Sequence, residues 1–586
     1  MKRKGRGKNA LLSLCFALTL AACAKGQMTG DGMGVRTGQT EPVLHPDQNE
    51  VTGQTDPVEQ TEVPQINAAM EQMRILAEDL NIKEMPLNYG TTYEVFVYSF
   101  YDSDGDGIGD LEGVIQKLDY INDGEDGKGE DLEVNAIWLM PVFASPTYHK
   151  YDVTDYLAID EQYGTVEDLK RLIEAAHERG VRVILDMPIN HTSSEHPWFR
   201  EACEYLESLD DTEVPDATVC PYVDYYHFTE SVSGGYSALN DRWYYEAQFW
   251  SGMPDLNLDS KAVREEIRNI FRYWLECGAD GFRLDAVTSY YTGSNGSNTE
   301  FMVWVNETVK EIRQDAYIVG EAWTDQNTYA SFYASGVDSF FDFAFAGNDG
   351  YIAKAVKGSI TAESLVEKME EEEQLYRSYS QTAVNAPFYT NHDMARSTGY
   401  YTDDEEQTKL AGGLNLLMTG NAFLYYGEEI GMKGSGADEN KRAPMYWSVT
   451  DDTGICAGPP DMGNVRMVFS PQDEQSEDPF SIWNYFKTAI RIRNAFPVIA
   501  SGSTYPVHEM CGETYATFIR RSDTEYESVL IVINTGEEAV QVAFDGEGCG
   551  YTHMAAVLLT GSDTVTADKD VIEIPGRGIA VMIREE

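Results

Sequence analysis

The sequence predicts an α/β protein: a (β/α)8 barrel interrupted by an inserted domain after its third strand and followed by a C-terminal all-β sandwich. Three observations predict it. From Tyr93 onward, eight short apolar runs alternate with amphipathic helical stretches. Asp285, Glu321 and Asp393 each stand at the carboxyl end of such a run, and a parallel barrel collects its strand ends at one face. Beyond about residue 497, short alternating segments between glycine-rich turns replace the helical pattern.

Taken in order, the chain opens on a basic stretch (Lys2, Arg3, Lys4, Arg6, Lys8) and a short apolar run from Ala10 to Ala22. That run is too short to span a bilayer as a mature helix and reads as a secretory signal over residues 1–22. It ends in Leu20-Ala21-Ala22-Cys23, which resembles the lipobox of bacterial lipoproteins. The resemblance implies cleavage before Cys23, lipidation of its thiol, and an exported protein held to the membrane by lipid. A plain secretory peptide is the alternative. Residues 23–86 are expected to be the lipidated cysteine and a tether, because 24–65 are rich in Gly, Thr, Gln, Pro and Glu. Within it, Ile66, Met70, Met73, Leu76 and Leu80 have helical spacing, so this piece either packs on the folded domain or extends the tether.

Barrel strands are expected at 93–100, 136–142, 182–189, 281–287, 317–323, 339–345, 387–392 and 422–427. The clearest helix runs from Thr165 to Arg179, with Leu169, Leu172, Ile173 and Ala176 on one stripe and Gly180 as its stop. Others are expected at 261–277, 299–314, 362–379, 404–418 and 480–494. The barrel thus occupies 87–190 and 247–496. Residues 191–246, polar and aromatic with Pro197, Pro215 and Pro221, form the inserted domain B, and 497–586 the C-terminal sandwich.

The charge excludes one class of function. Lys and Arg number 43 against 98 Asp and Glu, for a net −55, whereas a nucleic-acid binder presents a basic face. A soluble extracellular monomer fits better. Six cysteines remain after Cys15 and Cys23, and export permits disulfides. Cys203–Cys220 and Cys511–Cys549 are the pairs suggested by position among many connectivities, with Cys277 expected as a buried thiol.

Cleavage of a glycosidic bond needs an acid at the leaving oxygen and a second carboxylate at the anomeric carbon, about 5 Å apart in a retaining enzyme. Adjacent strands four and five place Asp285 and Glu321 to meet that need. Arg283, two residues before Asp285, points to the same side of the strand and can keep it ionised. Separately, Asp102, Asp104, Asp106 and Asp110, with a turn at Gly107, offer hard oxygens at alternate positions. These suit calcium, joined by the carbonyl of Ile108. Position twelve of that loop is Gly113, so it is not an EF-hand.

The segments Asp186-Met-Pro-Ile-Asn190-His191, Gly281-Phe-Arg283-Leu-Asp285, Gly320-Glu321-Ala-Trp323 and Asn391-His392-Asp393 resemble the four conserved regions of the α-amylase family, glycoside hydrolase family 13. Met253-Pro-Asp-Leu-Asn257 resembles its fifth, and 102–110 and 426–431 match further family segments. The resemblance spans roughly residues 90–586 and is closest to the subfamily between oligo-1,6-glucosidases and neopullulanases. It implies Asp285 as nucleophile, Glu321 as general acid/base, and Asp393 as the group that steadies the transition state. It implies His191, His392, Tyr151, Asp152 and Arg283 as substrate-binding, Ca2+ as cofactor, and an α-glucan as substrate. The expected activity is α-amylase, with an α-glucosidase or 4-α-glucanotransferase as alternative. A non-catalytic glucan-binding lipoprotein or a transporter accessory subunit would have eroded acids, and none is eroded here. Many α-amylases continue Asp-Ala-x-Lys-His where this chain has Asp285-Ala286-Val287-Thr288-Ser289, which leaves the acceptor side open. In the family's α-glucosidase branch, Ala at position 286 accompanies α-1,4 cleavage and Val accompanies α-1,6.

Overall fold

The computed structural model describes residues 67–584 apart from 86–87, 126, 128, 232–233 and 523–526. The signal, Cys23 and most of the tether lie outside the described residues. Eight parallel strands form one sheet: β1 (Thr91–Val95), β2 (Ala136–Leu139), β3 (Arg182–Met187), β4 (Gly281–Leu284), β5 (Tyr317–Gly320), β6 (Ser339–Phe341), β7 (Val384–Ala386) and β8 (Ala422–Tyr425). Neighbours in sequence are neighbours in space, and β1 pairs with β8. The ring closes between β7 and β8, where the Phe423 and Asn421 amides donate to the carbonyls of Pro387 and Asn385 (2.7 and 2.8 Å).

Alternation along the strands sorts the side chains into two cores. Trp138, Ile184, Val319, Phe341, Ala386 and Phe423 fill the barrel interior, while a larger cluster packs the strands against the outer helices. The Val166–Glu178 helix shows how local sequence sets this layer. Thr165 and Asp168 form a reciprocal capping box at its start, and Leu169, Leu172, Ile173 and Ala176 are buried. Gly180 (φ 73°) then turns the chain into β3.

One strand departs from expectation. The seventh is Val384–Ala386, not 387–392. Pro387 has no N–H to give to a ladder, so the regular strand ends at Ala386; an isolated bridge from Phe388 to Phe423 follows, and Asn391, His392 and Asp393 ride on the loop beyond.

Between β3 and β4 the chain forms the Pro197–Ser208 helix and a small antiparallel sheet of Phe228–Thr229, Tyr236–Ala238 and Tyr244–Glu246. The C-terminal part is all-β. It contains β9 (Ser503–Pro506), β10 (Tyr515–Arg521), β11 (Ser528–Asn534), β12 (Val540–Ala543), β13 (His553–Leu558), β14 (Thr566–Ala567), β15 (Val571–Ile574) and β16 (Ile579–Ile583). Its sheets run β9-β10-β11-β16-β13 and β12-β15-β14.

The helical spacing near residue 70 resolves into a helix, Ala68–Glu78, folded onto the C-terminal part. The Gln72 amide pairs in both directions with the Val565 backbone (2.8 and 2.9 Å), and Met73 is buried. This stretch of the expected tether is therefore folded structure, because its Met and Ala stripe finds an apolar surface to cover.

The cysteine pairings are corrected. All six described cysteines are free thiols. Cys220 is held against the Glu201 carbonyl and Cys511 against Val507 and Thr517, so their sulfurs face backbone rather than each other's proposed partners. Cys277 is half-buried, at the C-cap of the Lys261–Glu276 helix.

Candidate active site

Register alone brings the acids together. Leu284 pairs with Gly320 across β4 and β5, so Asp285 and Glu321 follow one step beyond the last paired residues. Asp186 pairs with Arg283 across β3 and β4. The Arg283 guanidinium, fully buried over the Trp138 ring (5.2 Å to its centroid), lies at the centre. Its Nη1 reaches Asp285 Oδ1 (2.5 Å) and Asp186 Oδ1 (2.9 Å), and its Nη2 reaches Glu321 Oε2 (3.0 Å). One planar cation thus holds three carboxylates.

The backbone contributes as well. Ala286 sits at φ 46°, a left-handed conformation that costs a non-glycine residue about 1–3 kcal/mol. In that conformation its N–H donates to Glu321 Oε2 (3.1 Å) and the next N–H, of Val287, donates to the Glu321 carbonyl (3.0 Å). The strained residue locks the two acid-bearing loops to each other.

A second cluster rests on the loop after β7. His392 is buried, with Nδ1 against Glu94 (2.5 Å) and Nε2 against both the Tyr151 hydroxyl (2.8 Å) and Asp393 Oδ2 (3.1 Å). Its ring stacks on Tyr151 at 5.6 Å. Arg442 donates from Nη2 to Asp393 Oδ1 (2.8 Å) and from Nε to the His392 carbonyl (3.2 Å).

Protonation follows from these partners. Burial pushes Glu321 above the usual carboxyl range, Arg283 opposes it, and the charges of Asp285 and Asp393 push it further up. Burial likewise takes Asp186 up to about 7 against the pull of Arg283. For His392, burial disfavours the charge, but Asp393 and Glu94 prevail and push it up to about 10. Asp393 is the counterpart: burial opposes its charge, yet His392 and Arg442 hold it well below the carboxylate range. Burial lowers His191, and lowers His149 to about 4. Burial thus favours the neutral form of both Glu321 and Asp186, whereas Asp393 is held ionised.

These groups floor a cavity of about 420 Å3 whose walls include Tyr151, His191, Asp285, Glu321, Asp393 and Arg442. His191 reaches it with Nε2 on the Tyr151 carbonyl (3.2 Å). Arg283 and His392, expected among the substrate ligands, are buried behind the cavity lining. The terminal nitrogens of Arg283 are taken by Asp186, Asp285 and Glu321, while its Nε has no partner among the described residues. The ring nitrogens of His392 are taken by Glu94, Tyr151 and Asp393. Asp152 is corrected more fully. It is buried outside the cavity lining, and its Oδ1 accepts from the hydroxyls of Ser145 (2.8 Å) and Thr147, so it shapes the loop that carries Tyr151.

The sequence reading missed the mouth. Phe249, Trp250 and Trp323 line the cavity at 49%, 51% and 53% exposure, large for aromatic rings in a folded protein. Trp323 stacks on Phe343 (5.3 Å), which makes it a platform at the rim. A Cβ at Gly252 would meet the Trp250 ring at 2.2 Å, so only glycine lets that ring fold back over the loop. Thr288 and Ser289 also line the wall and put two small hydroxyls there.

At the 102–110 loop, the carboxylates of Asp102, Asp104 and Asp106 gather with their oxygens within 4.8 Å of one another. Asp110 stands outside that group as the N-cap of the Leu111–Gln116 helix, accepting from Gly113 N–H (2.7 Å) and Ser103 N–H (2.9 Å). Ile108 N–H donates to Asp106 (2.7 Å). Three converging hard-oxygen donors on a glycine-turned loop fit a calcium ion.

Comparison with known proteins agrees with this geometry. The family model described as alpha amylase, catalytic domain, matches residues 94–502. Alpha-amylase 3 of Dictyoglomus thermophilum is 36% identical over 455 residues, covering 75% of this chain and 84% of the relative. An oligo-1,6-glucosidase of Parageobacillus thermoglucosidasius is 28% identical over 531 residues, covering 77% and 90%. Among solved structures, Eubacterium rectale Amy13B superposes with a TM-score of 0.83 at 44% identity, covering 89% of this chain and 99% of that one.

Proposed function

The chain belongs to the α-amylase family of glycoside hydrolases, and from that premise we propose that it cleaves α-1,4-glucosidic bonds of starch, glycogen or maltooligosaccharides with retention at the anomeric carbon. The observation that carries the reading is the Arg283 fork, which grips Asp285 and Glu321 with its two terminal nitrogens. Two carboxyl groups clamped on one guanidinium suit the separation of about 5 Å used in retention, not the wider gap that must admit a water.

Asp285 is the nucleophile. Its Oδ1 is bound to Arg283, leaving Oδ2 to attack the anomeric carbon as the C–O bond breaks. Glu321, whose protonated form burial favours, gives its proton to the leaving oxygen. It then takes a proton from the water that opens the glycosyl–enzyme ester. Asp393, ionised between His392 and Arg442, accepts sugar hydroxyls and stabilises the oxocarbenium-like charge. Tyr151 presents its ring to the same sugar, steered by His392 and Asp186. Ala286 supports the α-1,4 linkage.

Soluble starch and short maltooligosaccharides, followed by product length and by 1H NMR of the first-formed anomer, test the reading. Initial release of α-anomers is expected; β-anomers would overturn retention. An α-glucosidase is the rival reading, and mainly free glucose from maltose would select it.

The alkaline side of the pH profile should report Glu321. Its raised pKa means that kcat/KM holds below that value and falls as pH rises through it. In Glu321→Gln, assayed on an aryl glycoside whose leaving group needs no proton, that limb should vanish. Its persistence would assign the limb to another group.

When bound at the Asp102 loop, calcium supplies positive charge that offsets the three gathered carboxylates. Asp102, Asp104 and Asp106 would hold it with loop carbonyls, while Asp110, expected among the ligands, caps the helix that follows. Saturating calcium is expected to stabilise the protein by about 2.7 kcal/mol at one hundred times Kd. A chelator should lower the melting temperature of the wild type and not that of Asp104→Asn; equal shifts in both would exclude the loop.

We also propose export and lipid anchoring at Cys23, on the basic and apolar leader that precedes it. Cys23→Ser should move the enzyme from the membrane fraction to the medium. Unchanged partitioning would remove the anchor.

A further inference from the structure

The barrel and the C-terminal part meet along the Ala362–Tyr379 helix. Ala362 N–H donates to the Glu513 carbonyl (3.1 Å), and near the other end Glu373 binds Arg520 (2.9 Å) and the Thr504 amide (2.9 Å). On the same helix, Glu363 and Glu367 lie one turn apart and face the same way. Opposite them is His508, on the turn between β9 and β10. The ligand atoms of Glu363, Glu367 and His508 all lie within 4.8 Å of one another.

We propose that these three side chains bind a divalent transition-metal cation of the zinc class at the joint between the barrel and the C-terminal part. Three facts favour a metal over a bare ion pair. An imidazole with two carboxylates is a donor set for zinc or nickel, whereas calcium takes oxygen alone. The ligands come from two elements distant in sequence, as a cross-link requires. Finally, an ion pair needs only His508 Nδ1 and Glu363 Oε1, at 3.0 Å, and makes no direct contact with Glu367. Without metal, the hydrogen bond to Glu363, opposed by burial and aided by Glu363, Glu367 and Glu370, raises the affinity of His508 for a proton. Zinc displaces that proton and takes the same acceptors. The fourth position faces solvent, since His508 is 58% exposed on its side chain, so a water completes the shell.

The test uses the full chain with its Asp102 loop kept saturated with calcium. Zinc chloride is titrated by calorimetry, and the melting temperature is followed with rising zinc. A single zinc site and a zinc-dependent rise in melting temperature are expected for the wild type, with no response to magnesium. Loss of even an outer-shell partner typically costs about 10–100-fold in metal affinity, so Glu367→Gln and His508→Ala should each lose at least as much. Glu367→Gln is the decisive variant, because it keeps the His508–Glu363 pair and sits in a half-buried position that tolerates an amide. Zinc affinity unchanged in Glu367→Gln, or no zinc bound by the wild type, would overturn the proposal. Amylolytic activity of the metal-free variants should be unchanged, since the site shares no residue with the catalytic cavity.

Discussion

Asp285→Asn is expected to lower starch hydrolysis by about 10^4-fold or more while leaving the fold intact. The amide has the shape of the carboxylate and can still offer one oxygen to Arg283, so packing of the buried fork changes little. It has lost the nucleophile, and no other carboxylate can replace it. Asp186 lies deeper, with one oxygen on Arg283 and the other on Tyr151, and Asp393 is held by His392 and Arg442. Glucan binding should survive, because Phe249, Trp250 and Trp323 at the rim are untouched. The measurement is twofold: initial rate on starch, and retention of the variant on an immobilised glucan. Hydrolysis within about tenfold of the wild type would place the nucleophile elsewhere, since a group acting in the transition state cannot be removed so cheaply. Loss of binding together with loss of rate would instead assign Asp285 a part in holding the sugar.

Much of the site was legible because chemistry and position coincide at strand ends. Asp285 and Glu321 close apolar runs on adjacent strands, and register does the rest. What stayed hidden depends on contacts between segments distant in sequence. Nothing local to Asp152 says that Ser145 and Thr147 will take its carboxylate, nor that His392 will turn one nitrogen to Glu94, 298 residues away. Trp250 could have been suspected from Gly252 two residues on, but the fold-back of its ring is a tertiary fact. The seventh strand lies earlier than expected because Phe388 and Tyr389 look like strand while Pro387, lacking an N–H, ends the regular ladder and leaves only the isolated Phe388–Phe423 bridge beyond it. The cysteine pairs failed for a related reason. Proximity in sequence, as for Cys203 and Cys220, does not orient two sulfurs, and each found a backbone carbonyl or a half-buried niche.

Removing the Arg283 charge, as in Arg283→Leu, should damage stability and activity together, and the two effects separate by pH. Asp186, Asp285 and Glu321 are all buried on this one cation. Breaking a buried ion pair from one side costs about 3–5 kcal/mol, because the remaining charge has no compensation. Asp186 and Glu321, which Arg283 holds down against burial, will then take up a proton more readily. Burial already raises Asp186 and Glu321, with Arg283 opposing in both; without it their pKa values climb further. The sign is then fixed. A carboxyl whose folded pKa lies above its unfolded value destabilises the fold progressively as pH rises from the unfolded value to the folded one. The variant should therefore unfold more easily than the wild type at neutral and alkaline pH and approach it in acid, where all three groups are neutral in both states. Activity should not return in acid, because the nucleophile is then protonated. Arg283→Lys separates charge from shape. A point charge can neutralise part of the cluster but cannot fork to Asp285 and Glu321 at once. It should recover most of the lost melting temperature and little of the rate. A lysine variant with near wild-type kcat would show that net charge alone organises the acids, and the geometric argument for retention would lose its support.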